Sequence, residues 1–306
     1  PDAQNVLRGT EGLRVEGNYT IQDKAHKVVC IVRENNKKEL AVNDEQYKKF
    51  SDHIGRYPTV MIAPDDIELM IGPSEARRKY LDTLLSQIDA HYLQQLIAYN
   101  KVLQQRNSLL KGAEHAPIDS TLLEVLNNQL VSSGQYIFEK RTEFLTEFFP
   151  LVAKVYKRIA ATDDHIHLVY ESPLQSMPFD VLLAQNFQKD CILQRTTKGI
   201  HRDDLVFTMD QTAFKNEASQ GQRKSLLFAL KLAEWEVLKT KNGFTPILLL
   251  DDVFEKLDES RMYELLQWVC TASDGQVFIS DTHPQRLEQQ LHAINTPFQM
   301  IELLPL

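Results

Sequence analysis

Hydrophobic and polar positions alternate along the first part of the chain with the two-residue period of β-strands. The alternating segments lie within residues 13–43, and turn-forming residues separate them at Asp23 and Lys24 and again at Asn35 and Asn36. This pattern predicts an antiparallel meander. Residues 57–64 are apolar and β-branched with two prolines, which predicts a further, buried strand.

The middle of the chain changes to a helical period. Residues 74–111 contain no glycine or proline and have apolar side chains every three or four positions, which predicts one long helix. A second helical block is predicted over residues 120–160, with interruptions at Gly134 and Pro150. Two such blocks in succession predict an antiparallel helical hairpin, or arm.

From about residue 165, short strand-like and helix-like segments alternate to the end. The predicted strands are 165–170, 205–209, 246–250, 276–280 and 298–303. The predicted helices are 179–187, a long one after Gln220, 260–270 and 285–291. Alternation of this kind predicts a parallel sheet with helices on its faces. The arm therefore interrupts an α/β body.

Composition narrows the possible functions. The 306 residues include 34 basic and 42 acidic side chains, a formal net charge of −8, so any contact with DNA requires a local basic patch. Three widely spaced cysteines argue against zinc and against a disulfide framework, and they are typical of a reducing cytosol. No apolar run approaches the ~20 residues of a membrane helix, so we expect a cytoplasmic protein without membrane contact.

Two adjacent carboxylates, Asp251 and Asp252, follow the apolar run 247–250. We expect them at the carboxyl end of a buried strand, where doubly wound sheets bind their ligands. Acids placed there need a cation, and Mg²⁺ bound to a nucleotide phosphate would neutralise them. Asp251 would hold the Mg²⁺, and Asp252 would position or deprotonate the attacking water. A strand that ends in a turn with solvated acids explains the segment equally well.

A candidate anion site lies upstream, where Ser219, Gln220, Gly221 and Gln222 begin a run of strong helix formers. A helix start exposes unpaired N–H groups and the positive end of the helix dipole, and glycine allows a phosphate to approach the backbone closely. Ser219 and Gln222 also have the spacing of a capping box, which requires no ligand. The segment alone favours the cap.

These features occur in a specific order. After the helix start and the two acids, Asp258 opens a further helix, and a later strand ends at Ser280. This order resembles the second half of an ABC-type ATPase head, with its signature motif, Walker B motif, D-loop and switch strand. The resemblance implies that the signature of one subunit closes on ATP held by another.

Within that superfamily the chain resembles the RecF family over nearly its whole length. Four strings carry the resemblance: PDDIELMIGPSEARRKYLD (64–82), GIHRDDL (199–205), ASQGQRKSL (218–226) and LLLDDVFEKLD (248–258). It implies an α/β fold, an ABC-ATPase-like head in which helices flank a mixed sheet, with an inserted helical arm. The implied division places head lobe I at 1–72, the arm at 73–175 and the continuation of the head at 176–306.

The resemblance also implies a function. The chain would be a DNA-binding ATPase of recombinational DNA repair and replication restart, with ATP and Mg²⁺ as cofactors. Homodimers would form with ATP on double-stranded or gapped DNA, and slow hydrolysis would release them. RecO and RecR would be its partners in loading RecA. Two other functions stay open: another SMC-like or ABC head, and a DNA-binding scaffold without catalysis.

The chain departs from the family pattern in three places. No P-loop string GxxxxGK[ST] occurs in it. Residues 1–22 resemble the segment after the family's P-loop helix, so we expect roughly sixty family residues upstream of this chain. The chain alone should then bind ATP poorly.

Two further departures concern single positions. Glu255 and Lys256 are atypical before Asp258, which could be a plain N-cap. Asp281 replaces the expected switch histidine, which leaves His283, two positions later, as a switch candidate or a surface residue.

Several basic residues have two interpretations, whereas the two tryptophans have one. Arg77, Arg78 and Lys79 at the start of the arm could bind the DNA backbone or could simply be solvated. Arg202 of the HRDD string could reach a phosphate or form an ion pair with one of the two following aspartates, and we favour the ion pair. Trp235 lies at an apolar helical position, as does Trp268, and both are predicted to be core residues.

Overall fold

The computed structural model describes most of the chain. The described residues are 5–7, 9–35, 37–112, 117–160, 162, 164–252, 254, 259–271 and 275–303. The strands are β1 (Gly12–Ile21), β2 (Lys24–Arg33), β3 (Lys38–Val42), β4 (Glu45–Gln46), β5 (Thr59–Ile62), β6 (Ile166–Glu171), β7 (Asp204–Met209), β8 (Thr212–Ala213), β9 (Ile247–Asp251) and β10 (Val277–Ser280). The helices are α1 (Glu68–Ile71), α2 (Ser74–Ile88), α3 (Ala90–Gly112), α4 (Ser120–Ala160), α5 (Phe179–Gln185), α6 (Phe187–Leu193), α7 (Phe214–Glu217), α8 (Gln220–Asn242), α9 (Glu259–Thr271) and α10 (Pro284–Ala293).

The chain contains two compact units, Pro1–Tyr57 and Pro58–Leu306. The first unit holds a four-stranded sheet in the order β1-β2-β3-β4 with antiparallel neighbours. Gln22 and Asp23 join β1 to β2 with φ angles of 47° and 62°, as a tight hairpin turn requires. The predicted antiparallel meander is therefore confirmed. The predicted division at residues 72 and 175 stays a prediction.

The second unit contains a three-stranded parallel sheet in the order β10-β9-β5. Val60 and Ile62 of β5 are buried, and so are Leu248 and Leu250 of β9. Helix α8 packs against β5 on this apolar side. The buried strand predicted at 57–64 and the parallel pairing of the later strands are confirmed here.

Two predictions about the sheet are wrong. Strands β6, β7 and β8 form a separate antiparallel sheet, so pairing in the second unit is not parallel throughout. Between β6 and β7 the short helix α5 packs on α4 and does not form a long crossover across a sheet. Residues 298–303 are not a strand, and Ile301 is 70% exposed there. Their apolar pattern finds no neighbouring strand in the described part of the chain.

The helical arm differs from the prediction in where its helices break. One long helix was expected over 74–111, but Asp89 has extended backbone (φ −141°) and separates α2 from α3. Its carboxylate Oδ1 accepts hydrogen bonds from the backbone N–H of His91 (2.8 Å) and Tyr92 (3.0 Å), which caps the start of α3. Conversely, α4 continues through Gly134 and Pro150, because close packing holds it along its length.

The antiparallel hairpin itself is confirmed by contacts between α3 and α4. Arg106 of α3 donates to the side chain of Asn127, whereas the hydroxyl of Tyr136 reaches back to Asp89. Both tryptophans lie in the apolar core, as predicted, with Trp235 fully buried. No helix in the described ranges combines the length and the apolar character needed to cross a bilayer.

Candidate nucleotide-binding site

The two predicted acids lie at the carboxyl end of the parallel sheet. β9 is the middle strand and ends at Asp251, whose exposed carboxylate accepts a hydrogen bond from the hydroxyl of Ser280 at 2.5 Å. The backbone N–H of Asp252 donates to the carbonyl oxygen of Ser280 at 3.1 Å. Two adjacent strand ends therefore hold both acids at one edge of the sheet, where open α/β sheets bind ligands.

The backbone of Asp252 is unusual. Its φ of +47° lies in the left-handed region, which costs most residues other than glycine about 1 kcal/mol and aspartate somewhat less. This conformation turns the chain out of the sheet directly after Asp251. Strained residues of this kind concentrate at functional sites, where the surrounding structure enforces them. Asp210 has the same φ in an exposed turn, so the position of the acid pair at the sheet edge, and not this angle, supports a role in ligand binding.

The donor atoms at this edge fit Mg²⁺. Carboxylate and hydroxyl oxygens are the hard ligands that Mg²⁺ prefers. Within the described ranges, no group of three or more His, Cys, Asp or Glu side chains could hold a metal ion by itself. An ion on Asp251 would therefore need further oxygens from water and from a nucleotide, which is the usual arrangement in ATP-dependent enzymes.

The predicted signature segment forms the start of α8. The backbone N–H of Gln222 donates to the hydroxyl oxygen of Ser219 at 3.2 Å, and the N–H of Ser219 donates to Oε1 of Gln222 at 2.9 Å. This is a complete capping box. The cap uses a lone pair of the hydroxyl oxygen and leaves its proton, together with the first N–H groups of the helix at Gln220 and Gly221, for an anion. Capping and phosphate binding are therefore compatible.

Sequence reasoning missed Arg261 as a neighbour of this segment. A Cβ atom added to Gly221 would lie 2.6 Å from Nη1 of Arg261, so the first turn of α9 brings a guanidinium against the first turn of α8. The absence of a side chain at Gly221 makes this approach possible. No motif in the sequence marks Arg261, because the contact arises only when the two helix starts meet.

The structure gives less support to the other two predicted nucleotide-binding residues, Asp258 and His283. Asp258 lies outside the described residues. His283 is 74% exposed, and its backbone N–H donates to the carboxylate of Asp281 at 2.7 Å. Within the part of the chain that the structure describes, no hydrogen bond or ion pair joins His283 to Asp251, and none joins Ser219 or its neighbours to the two acids. The role of each stays a prediction.

The structure places the three arm cations differently. Arg77 forms a two-point ion pair with Asp204, with N–O distances of 2.7 and 3.0 Å, and is mostly buried. Arg78 donates to the hydroxyl of Ser74 and to the carbonyl oxygen of Asp203, both at 2.7 Å. Lys79 is exposed. These contacts favour a structural role for both arginines, whereas DNA binding by the three cations stays a prediction.

The ion pair that we favoured for Arg202 is not present. Asp203 pairs with Arg141 at 2.6 Å, and Asp204 pairs with Arg77. Both carboxylates are thus occupied by arginines from the arm, and Arg202 itself is exposed. Sequence proximity suggested the wrong partner, because the acids of the HRDD string face inward and Arg202 faces solvent.

Two buried arginines hold the arm to the head. Arg141 donates to Asp203 and to Asp82 (2.7 Å), whereas Arg106 pairs with Asp190 at 2.8 Å with both side chains buried. A sequence signal did exist for them. Each arginine lies in an apolar stripe with an apolar residue four positions before and after it: Val102, Arg106 and Leu110, then Ile137, Arg141 and Leu145. A charge in such a stripe indicates a buried ion pair.

His201 completes this network. Its Nδ1 contacts the hydroxyl of Tyr99 at 2.7 Å, and its Nε2 donates to the carbonyl oxygen of Thr196 at 3.0 Å. Burial lowers the pKa of His201 to about 4. The histidine of the HRDD string therefore serves to fix the loop around residue 196 and does not act as a base near neutral pH.

Comparisons with known proteins agree with the resemblance seen in the sequence. The chain is 43% identical over 301 residues to the DNA replication and repair protein RecF of Flavobacterium johnsoniae, which covers 98% of this chain and 84% of that protein. The chain is also 38% identical to the DNA replication and repair protein RecF of Phocaeicola vulgatus, over 98% of this chain and 81% of that protein. A search against family models found no match.

Solved structures give the same result. The recombination mediator protein RecF-ATP in the RecFOR pathway aligns with a TM-score of 0.81 and 27% identity over 90% of this chain and 76% of that one. The corresponding RecF-ATPrS structure aligns with a TM-score of 0.80 at the same identity and coverage. The predicted fold class, an ABC-ATPase-like head of mixed sheets flanked by helices, is confirmed.

Proposed function

The chain belongs to the RecF family of DNA replication and repair proteins, and we propose from this premise that it supplies the catalytic acids and the signature segment of an ATP-dependent DNA-binding dimer. The proposal extends to weak ATP hydrolysis as a release step, to binding of double-stranded and gapped DNA, and to work with RecO and RecR in loading RecA in the cytoplasm. The description of a RecF structure as part of the RecFOR pathway supports the partners.

One observation carries the nucleotide part of the proposal. Asp251 and Asp252 lie together at the carboxyl end of the middle parallel strand, and Ser280 of the neighbouring strand orients them. The left-handed backbone of Asp252 turns the chain out of the sheet directly after Asp251. The hydrogen bonds of both acids to Ser280 at the strand end support this placement against a freely solvated turn.

The proposed roles follow from position. ATP with Mg²⁺ would supply the scissile phosphate bond and the charge that neutralises the acids. Asp251 would hold the cation through its exposed carboxylate, and Asp252 would accept a proton from the attacking water. Ser219, Gln220 and Gly221 of a second subunit present a hydroxyl proton and two N–H groups to the terminal phosphate. The 306 residues contain no P-loop string, so tight ATP binding requires that element from elsewhere.

The test is single-turnover ATP hydrolysis by the complete gene product that contains this chain. We expect Asp252→Asn to lower the rate at least a hundredfold, because an amide cannot accept the proton of the attacking water. Asp210→Asn is a matched control, since Asp210 is also an aspartate with φ of +47° but lies in the exposed turn before β8. Equal rates for Asp252→Asn and the unmodified protein would reject the assignment of the base.

A further inference from the structure

The segment from α6 to β7, residues 187–204, is almost neutral in sequence. It carries four cations, Lys189, Arg195, Lys198 and Arg202, and three acids, Asp190, Asp203 and Asp204. On composition alone such a segment has no electrostatic preference for a partner. The structure changes this, because the two signs of charge face in opposite directions.

All three acids face inward and pair with arginines from three different arm helices. The pairs are Asp190 with Arg106 of α3 at 2.8 Å, Asp203 with Arg141 of α4 at 2.6 Å, and Asp204 with Arg77 of α2 at 2.7 Å. Asp190 and Asp203 are both buried. These carboxylates are therefore neutralised by residues outside the segment and cannot neutralise its own cations.

The four cations face solvent. Lys189, Arg195 and Arg202 are exposed, and Lys198 is half-buried. Within the described part of the chain, none of the four side chains has a hydrogen bond or an ion pair. Such long side chains normally find a carboxylate when one is near, so four unpaired cations in fourteen positions leave a local positive field on a protein of net charge −8.

The backbone beneath these cations is firmly held. Gln194 ends α6 with φ of 52°, and the next turn is fixed because the hydroxyl of Thr196 and its N–H both donate to Asn107 of α3. His201 Nε2 donates to the carbonyl oxygen of Thr196 at 3.0 Å, which ties the turn that carries Arg202 to the loop that carries Arg195. The cations are thus presented on a rigid base, which reduces the entropy lost on binding.

We propose that Lys189, Arg195, Lys198 and Arg202 form a binding surface for the phosphate backbone of double-stranded DNA. This surface lies on the outer side of the ion-pair network. It takes the DNA-binding role that was predicted for Arg77 and Arg78, because the N–H groups of those two arginines already donate to other atoms of the protein. The proposal rests on the DNA binding stated under the proposed function. Lys189 lies on α6 and the other three cations lie on the segment after it, and we expect all four to contact phosphates without base preference.

The salt dependence of DNA binding tests this surface. For duplex DNA, the logarithm of the binding constant falls with the logarithm of salt concentration with a slope of about −0.9 per phosphate contact. Replacing both Arg195 and Arg202 by glutamine should make the slope less steep by about 1.8, and replacing all four cations by about 3.6. The measurement is fluorescence anisotropy of a labelled 30-base-pair duplex across a salt series, with the complete gene product.

Lys154→Gln with Lys241→Gln is the matched control. Both lysines are exposed and belong to α4 and α8, and the pair should leave the slope unchanged. Circular dichroism checks that every variant keeps its helices, which we expect because the four cationic side chains have no partner among the described residues.

Three other outcomes would each reject a different claim. If the four-residue variant has the same slope as the unmodified protein, the four cations do not bind DNA, although the protein as a whole still does. No duplex binding by the unmodified protein rejects the proposed function as well. Ile192, 80% exposed on the same helix as Lys189, could instead serve a protein partner. If the variant loses binding of a polyglutamate peptide but keeps its DNA slope, the surface serves an acidic protein and the DNA assignment is wrong.

Discussion

At the scale of single residues, Glu234 is an unusual ionisable group. It lies on α8, is only 6% exposed, and its Oε2 has no hydrogen-bond partner within the described residues. Lys231 is close by but is also paired with Asp66 at 3.3 Å. Burial raises the pKa of Glu234 to about 7, and the nearby Lys231 only partly offsets this. Glu234 is thus protonated in the folded protein at mildly acidic pH.

This raised pKa predicts a pH-dependent stability. Between the ordinary glutamate value and pH 7 the folded state holds a proton that the unfolded state has lost, so the free energy of unfolding falls as pH rises. The group alone should lower it by about 3 kcal/mol between pH 4.5 and pH 8. We expect Glu234→Gln to remove this loss, because the amide resembles the protonated acid, so that the variant is more stable than the unmodified chain at pH 8.

Urea unfolding at pH 5 and pH 8 measures both values. Glu236→Gln is the control on the same helix, since Glu236 is only half-buried, and it should keep the pH dependence of the unmodified chain. If Glu234→Gln and the unmodified chain lose equal stability between the two pH values, the carboxyl of Glu234 is ionised throughout and its assignment as a buried acid is wrong.

At the scale of elements, α4 shows how a residue that breaks helices in peptides can be required in a protein. Gly134 lies where α4 meets α3 and α5, and a Cβ atom added there would lie 2.5 Å from Cε1 of Phe179 and 3.1 Å from Cε2 of Tyr99. Both rings are fully buried. The glycine therefore permits close approach of the three helices, and the helix continues because packing outweighs the low helix propensity of glycine.

A substitution pair tests this account. We expect Gly134→Ala to lower the free energy of unfolding by about 1–2 kcal/mol, because overpacking exceeds the gain in helix propensity. Gly112→Ala, at the end of α3, should be neutral or stabilising, since no atom of the described residues lies within 4 Å of the added Cβ. Chemical unfolding of both variants measures the difference. A Gly134→Ala protein as stable as the Gly112→Ala protein would contradict the close-packing explanation.

The same elements show how far the sequence could predict the structure. Periodicity identified β1, β2 and β9 because alternation and apolar runs are local properties. Periodicity could not find the break at Asp89, because the break depends on a side chain that caps the next helix. It also could not find the antiparallel pairing of β6 and β7, because that pairing depends on where α5 packs. Tertiary contacts decide these features, and the spacing of residues does not encode them.

The candidate site was predictable to a similar extent. Asp251, Asp252 and the capping segment at Ser219 lie where their motifs indicated. Arg261 could not be found, because its contact with Gly221 joins residues that are distant in sequence. The inward direction of the HRDD acids was also missed, although Arg141 in an apolar stripe was a usable signal.

At the scale of the whole molecule, the proposed nucleotide site is divided. The acids lie at one edge of the parallel sheet and the signature segment lies at the start of α8, and within the described ranges no hydrogen bond or ion pair connects them. In the proposed mechanism, the signature segment of a second subunit completes the site. The proposal therefore makes dimerisation, and not the fold of one subunit, the step that ATP controls.

Ser219→Asp tests this claim most directly, because aspartate caps a helix as well as serine does but repels a triphosphate. The measurement is the molar mass of the complete gene product by light scattering, with and without ATP and Mg²⁺. We predict that ATP doubles the mass of the unmodified protein, and that the variant stays monomeric with an unchanged melting temperature. A variant that dimerises with ATP as the unmodified protein does would show that Ser219 is only a helix cap.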